Sequence, residues 1–249
     1  MQAYWTLTRR ELAGFFLSIT GYVIIAASAL LLGLSFVILI VKLQEDPTPM
    51  PMTELFYLTA FFWVILLLAV PVITMRLIAL EKFSGTFETL MTTPVSEMQV
   101  VAAKFTAAMA FYMVLWLPLL GCILLLEHYA RDSAAVDPGV LASSFLGIFL
   151  LGCMFISLGC FASALTRSQM SAAMISTVLV VGMFMLSFLP DKVPAANWAS
   201  QVLSCFAIRD QMHDFVRGVV DTRAIVFYLS VTLLFLFLTL RVIESRRWK

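Results

Sequence analysis

The chain has 249 residues, 62% of them hydrophobic and 12% charged, with mean hydropathy +1.00 and formal net charge +1. An ordinary soluble domain is about a quarter charged and under half apolar, so this chain carries more apolar surface than a globule of its size can bury. That excludes a soluble globule and a disordered chain, and the near-neutral balance gives a nucleic-acid binder no electrostatic footprint.

Residues 1–20 contain Trp5-Thr-Leu-Thr-Arg-Arg-Glu-Leu-Ala-Gly-Phe-Phe16. Trp5, Leu12 and Phe16 share one helical face while Arg9 and Arg10 lie elsewhere on the wheel, which predicts a helix lying in the membrane interface. A bilayer-crossing helix needs about 20 mainly apolar residues. Six runs qualify: 21–41, 55–75, 105–126, 140–165, 170–189 and 224–242. Ala27-Ser28-Ala29 mimics a cleavage site behind Arg9 and Arg10, but the apolar stretch continues well past it, so a retained anchor is expected. No run alternates as a β-barrel strand would. The predicted fold class is an all-α integral membrane protein, a six-helix bundle forming a single transmembrane domain over residues 1–249.

Between the second and third runs lies the segment 76–104. Phe83, Phe87, Leu90 and Met91 follow i, i+4, i+7, i+8 spacing and predict a short amphipathic helix, with Glu88, Thr89 and Thr92 opposite. Pro94 ends it, since the residue before a proline disfavours helical geometry. Ser96 and Gln99 then fit a capping box, with Val95 and Val100 as the staple around it. Such a helix either lies on lipid or docks a cytoplasmic partner. Pro71 and Pro118 predict kinks late in the second and third spans. In the fourth run, Cys153 and Ser157, Gly159 and Ser163, and Cys160 and Ala164 put small residues at helical spacing, as close packing within a bundle requires.

The segment 190–223 is long for a connector. Trp198, Val202 and Phe206 share one face; Ile208, Met212, Phe215, Val216 and Val219 line another, with Arg209, Asp210, His213, Asp214 and Arg217 facing away. Two short amphipathic outer helices are expected, followed by Asp221 or Thr222 as cap of the last span.

With both termini cytoplasmic, the inner side carries ten of the sixteen Lys and Arg and five acids, the outer side six and ten. The resulting net charges, +5 and −4, favour that orientation. No ionisable side chain falls in the middle of a run, which argues against a self-powered, ion-coupled transporter. Cys122, Cys153 and Cys160 lie in apolar runs and read as small hydrophobes. Glu127-His128 lacks the second histidine of a zinc-protease motif. Asp210, His213 and Asp214 are too few ligands for a metal site, and Met50 with Met52 make a poor copper site. No metal or other cofactor is expected.

The stretch Glu81-Lys82-Phe83-Ser84-Gly85-Thr86-Phe87-Glu88-Thr89-Leu90-Met91-Thr92-Thr93-Pro94-Val95-Ser96 resembles the one that follows the second span of ABC-2-type ABC transporter permeases. Phe215-Val-Arg-Gly-Val-Val-Asp-Thr-Arg223, Phe227-Tyr-Leu-Ser230 and the ending Glu244-Ser-Arg-Arg-Trp248 are similar to the gliding-motility and copper-enzyme-maturation subgroup of that family. The resemblance implies a permease subunit of an exporter-like complex in the bacterial cytoplasmic membrane. Its ATP would be bound and hydrolysed by two separate ABC ATPase subunits, beside a second permease copy, identical or different, and an extracytoplasmic accessory protein. It also implies that the short helix after the second span is a coupling helix. Glu81, Lys82, Gly85, Thr86, Glu88 and Pro94 would be its coupling residues. No glycine is followed by lysine, so the phosphate cradle G-x-x-x-x-G-K-[ST] is missing and no enzymatic activity is expected of the chain itself. Two other readings are a membrane anchor for an extracytoplasmic machine and a membrane-embedded enzyme, the latter having only hydroxyls and thiols within its spans.

Overall fold

The computed structural model describes residues 2–45, 54, 56–57, 59–86, 96–129, 137–189 and 204–247. Among them the regular structure is helical, without strands. In chain order the helices are α1 (Gln2–Phe16), α2 (Ile19–Glu45), α3 (Ala60–Thr74), α4 (Ala79–Ser84) and α5 (Glu97–Leu115). They continue with α6 (Leu117–Tyr129), α7 (Pro138–Leu165), α8 (Gln169–Leu186), α9 (Ile208–Val216) and α10 (Thr222–Arg247). Six stretches are long and apolar enough to cross a membrane: Ile19–Lys42, Ala60–Ser84, Glu97–Leu125, Pro138–Leu165, Gln169–Leu186 and Thr222–Ser245. The fold is the expected all-α membrane bundle.

α7 is its axis. The span it forms is 78% buried within the chain, against 22% for α2 and α8 and 17% for α10, and it packs against α3, α5, α8, α9 and α10. Its glycines make this possible by letting neighbours approach the backbone. A Cβ on Gly152 would lie 2.3 Å from the Tyr112 ring, and one on Gly159 would lie 2.2 Å from Thr74 Oγ1. The small residues of this span therefore serve packing inside one bundle, since backbone approach is what replaces the hydrophobic effect in lipid.

Helix ends follow local chemistry. Asp137 caps α7, accepting from Gly139 N at 2.9 Å with Pro138 in the first turn. Ser96 caps α5, accepting from Gln99 N at 3.3 Å. Asp221 Oδ1 accepts from Arg223 N at 2.9 Å at the head of α10. The third span breaks at Trp116, whose N–H turns to Met113 O at 3.2 Å, because Pro118 has no N–H to continue the ladder. Pro71, by contrast, lies inside α3, and the chain bends only after Thr74, in the turn leading to α4.

α1 keeps Trp5, on the stripe expected to meet lipid, on its outer side and packs into the bundle by another side. Trp5 points outward, 68% exposed, whereas Thr8 and Phe15 are buried and the helix packs chiefly along α5. The reason is polar and aromatic pairing. Tyr4 Oη donates to Thr106 Oγ1 at 3.0 Å, and Phe15 stacks on Phe111 at 4.9 Å between centroids.

Candidate functional site

α4 forms an elbow at one end of the bundle, the end where α2, α5 and α8 begin and α7 and α10 finish. A helix of six residues cannot satisfy its own terminal groups. Its leading N–H donors are instead taken by another helix: Ser163 Oγ, on α7, accepts from Ile78 N at 3.1 Å and from Ala79 N at 3.0 Å. The exchange is reciprocal, because Lys82 Nζ donates to Ala164 O, one of the carbonyls left open at the end of α7. A cation at that position also complements the helix dipole. Elbow and central helix are thus joined at both of their open ends.

The other face of the elbow carries a charge cluster. Lys104 of α5 is 3% exposed, and its Nζ lies 2.9 Å from Glu81 Oε1 and 3.1 Å from Glu11 Oε1. Arg10 Nη2 closes the group, 3.0 Å from both carboxylates. The hydrogen bond from Arg10 to Glu11, with the field of both acids, raises the pKa of that guanidinium above its ordinary value. Glu81 Oε2 is buried without a hydrogen-bond partner among the described residues. Arg76, in the turn before α4, donates from Nη1 to Thr20 Oγ1 at the start of α2. A cavity of about 110 Å³ lies between α1 and the elbow, lined by Glu11, Gly14, Phe15, Arg76, Leu77 and Leu80. Four helices besides the elbow itself, α1, α2, α5 and α7, therefore hold this one corner.

Of the residues singled out in the sequence, Glu81 and Lys82 are on α4, turned to Lys104 with Arg10 and to α7 respectively. Gly85 follows the helix in the left-handed region, φ 72°, which ends it and turns the chain; a side chain there would be strained. Thr86 Oγ1 is 2.8 Å from Ser84 Oγ on the exposed surface. Glu88 and Pro94 lie outside the described residues. Phe83 sits in the last turn of α4, which Gly85 ends, and is 77% exposed; Phe87, Leu90 and Met91, expected to share its apolar face, lie outside the described residues. Lys104 and Glu11 escaped the sequence reading because their partners are far away along the chain. The available signal was a lysine two turns inside a largely apolar helix, where an unpaired ammonium is costly.

A second charged group lies at the opposite end. Glu54, ahead of α3 and buried, has its Oε1 at 2.9 Å from His213 Nε2 and 2.8 Å from Arg217 Nη2, both on or just after α9. The buried face of α9 is the expected one, Ile208, Met212, Phe215 and Val216, set across the head of α7, where Ser143 Oγ donates to Phe215 O at 2.7 Å. Contrary to expectation, His213 and Arg217 do not face away but close on Glu54, and Val219 is exposed. Of the other expected outer helix, Trp198 and Val202 lie outside the described residues, and Phe206 meets the Phe227 ring of α10 edge-on at 5.3 Å between centroids. Among the described residues no three His, Cys, Asp or Glu side chains group as metal ligands; Met50 and Met52 fall outside them.

Six apolar helices around a buried axis define a multi-pass membrane protein, and the elbow that closes its second span is tied by polar contacts to several of the others. The family model of ABC-2 family transporter proteins matches residues 41–242, and the chain belongs to that family. Its members are transporter membrane subunits that work with ABC ATPases. No curated protein matches the chain.

Proposed function

We propose that this chain is the permease subunit of an exporter-like ABC complex, in which two permeases, identical or different, meet two ATPase subunits at the elbow end. In this reading that end and both termini are cytoplasmic in a bacterial inner membrane. ATP-driven closure of the ATPases moves the segment after Gly85, and the elbow passes the movement on to export a substrate or to do mechanical work. The observation that carries the reading is the anchorage of α4: hydrogen bonds to the end of α7 and ion pairs to α1 and α5. A displacement applied at Gly85 is delivered to several spans together, because packed interiors respond as rigid units. Glu81 and Lys82 then act inside the permease, as ties, while Thr86, Glu88 and Pro94 belong to the segment that meets the ATPase. The resemblance of the C-terminal stretch supports the gliding-motility and copper-enzyme-maturation subgroup.

The test uses the permease co-purified with its ATPase in nanodiscs. We predict that Glu88→Lys removes stimulation of ATP hydrolysis by the permease while its thermal unfolding is unchanged. Restoration by a reciprocal charge change on the ATPase would establish direct docking. Full stimulation in the Glu88→Lys and Thr86→Arg variants together would overturn the assignment.

A further inference from the structure

At the end of the bundle away from the elbow, a half-open cavity of about 420 Å³ separates the head of α3, the tail of α8 and α9. Its size lies in the range of small-molecule sites. One wall is aromatic: Tyr57, Trp63, Phe184 and Phe188, with Trp63 and Phe184 at 4.8 Å and Phe184 and Phe188 at 5.4 Å between centroids. Two adjacent, exposed residues of α9, Arg209 and Asp210, line the cavity with both signs of charge. The Arg209 guanidinium lies over the Phe188 ring, 6.0 Å from its centroid, so a cation already sits against one ring of this wall. His213 also lines the cavity, but its Nε2 is engaged by the buried Glu54, which Arg217 neutralises as well. That group is therefore fixed and internally neutralised, and among the described lining residues Arg209 and Asp210 are the charges that set the selectivity.

We propose that this cavity is a binding site for a quaternary-ammonium zwitterion of the phosphocholine or betaine type. The ammonium would rest against the aromatic wall beside Asp210, and the anionic group would pair with Arg209. Rings bind a quaternary ammonium well because it is attracted to their negative faces and keeps little of its own hydration. A simple cation would meet Arg209 as a like charge, and a simple anion would meet Asp210. Both are disfavoured relative to a molecule that carries the two charges together. The ligand is either a free solute or the headgroup of a bilayer lipid, since the cavity lies at the end of the spans. Ligand held here would bridge α9 to α3 and α8. The inference is independent of the coupling reading, because nothing in it involves the elbow or an ATPase.

The experiment is calorimetric titration of the purified permease, in a detergent with an uncharged headgroup, with phosphocholine, glycine betaine, tetramethylammonium and inorganic phosphate. The two zwitterions are expected to bind, and the single-charge probes to bind at least about tenfold more weakly. Asp210→Asn and Arg209→Gln, both at exposed positions that leave the core intact, should each weaken zwitterion binding by about tenfold. Trp63→Phe should weaken it less, and circular dichroism checks that each variant is folded. Repeating the titration in nanodiscs separates the sources. Loss of soluble-ligand binding in phosphatidylcholine but not in phosphatidylglycerol assigns the site to a lipid headgroup, and binding in both assigns it to a solute. Absence of zwitterion binding at tens of millimolar, or binding unchanged in both charge variants, overturns the proposal.

Discussion

Lys104 shows most directly how one residue sets the character of the elbow end. It is almost wholly buried, and two carboxylates meet its ammonium within 3.1 Å. Removing it leaves two carboxylates that repel each other to share the one half-exposed cation of Arg10. We predict that Lys104→Ala destabilises the permease by about 3 kcal/mol, seen as a lowered unfolding midpoint in detergent. Arg10 touches the same carboxylates, but its side chain is 56% exposed. Arg10→Ala should therefore cost at most about 1 kcal/mol. The double variant Lys104→Met with Glu81→Leu removes the pair and fills the space with apolar groups. It should recover most of the stability lost in Lys104→Ala, since a well-packed apolar replacement of a buried ion pair is often neutral. Equal destabilisation by Arg10→Ala and Lys104→Ala would show that burial does not rank these contacts.

Among the elements, α7 carries the architecture through its glycines. Tyr112 is fully buried, and its ring lies where a Gly152 side chain would begin. We predict that Gly152→Ala destabilises the bundle by about 2 kcal/mol, through overpacking that the ring cannot relieve. Gly152→Ala with Tyr112→Leu should recover part of that loss. Gly182→Ala on α8, where nothing lies within 4 Å, should be neutral or slightly stabilising. The same comparison of elements explains what was legible in the sequence. Span positions, the Ser96 and Asp221 caps, the break at Pro118 and the buried face of α9 all follow from local chemistry or periodicity. The inward face of α1 does not. Its apolar stripe holds Trp5 on the outer side, while the helix turns Tyr4, Thr8 and Glu11 toward α5 because Thr106 and Lys104 wait there. His213 was placed on a solvated face for a similar reason, as its partner Glu54 lies 159 residues away. Long-range polar pairing leaves no periodic trace, and both candidate sites are built from it.

On the scale of the whole molecule, the remaining question is which end faces the ATPase, and charge and fold can be argued together. Among the described residues the elbow end collects Arg9, Arg10, Arg76, Lys82, Lys104, Arg167, Arg241, Arg246 and Arg247, whereas the other end has Lys42 on α2 and Arg209, Arg217 and Arg223 on and beyond α9. Acids do little to offset basic residues in setting orientation, so those three arginines weigh against placing α9 outside. The fold reduces that weight for one of them: Arg217 is bound to a buried carboxylate. We therefore predict that the elbow end is cytoplasmic. The measurement replaces Cys122, Cys153, Cys160 and Cys205, then introduces Thr86→Cys beside the elbow or Thr222→Cys at the head of α10, both exposed positions at opposite ends. An impermeant thiol reagent applied to intact cells should label the Thr222→Cys variant at once. The Thr86→Cys variant should react only after the membrane is permeabilised. The opposite pattern would put the elbow on the side without ATP. No ATPase could then reach Gly85, and the coupling reading would fall while the family assignment stood.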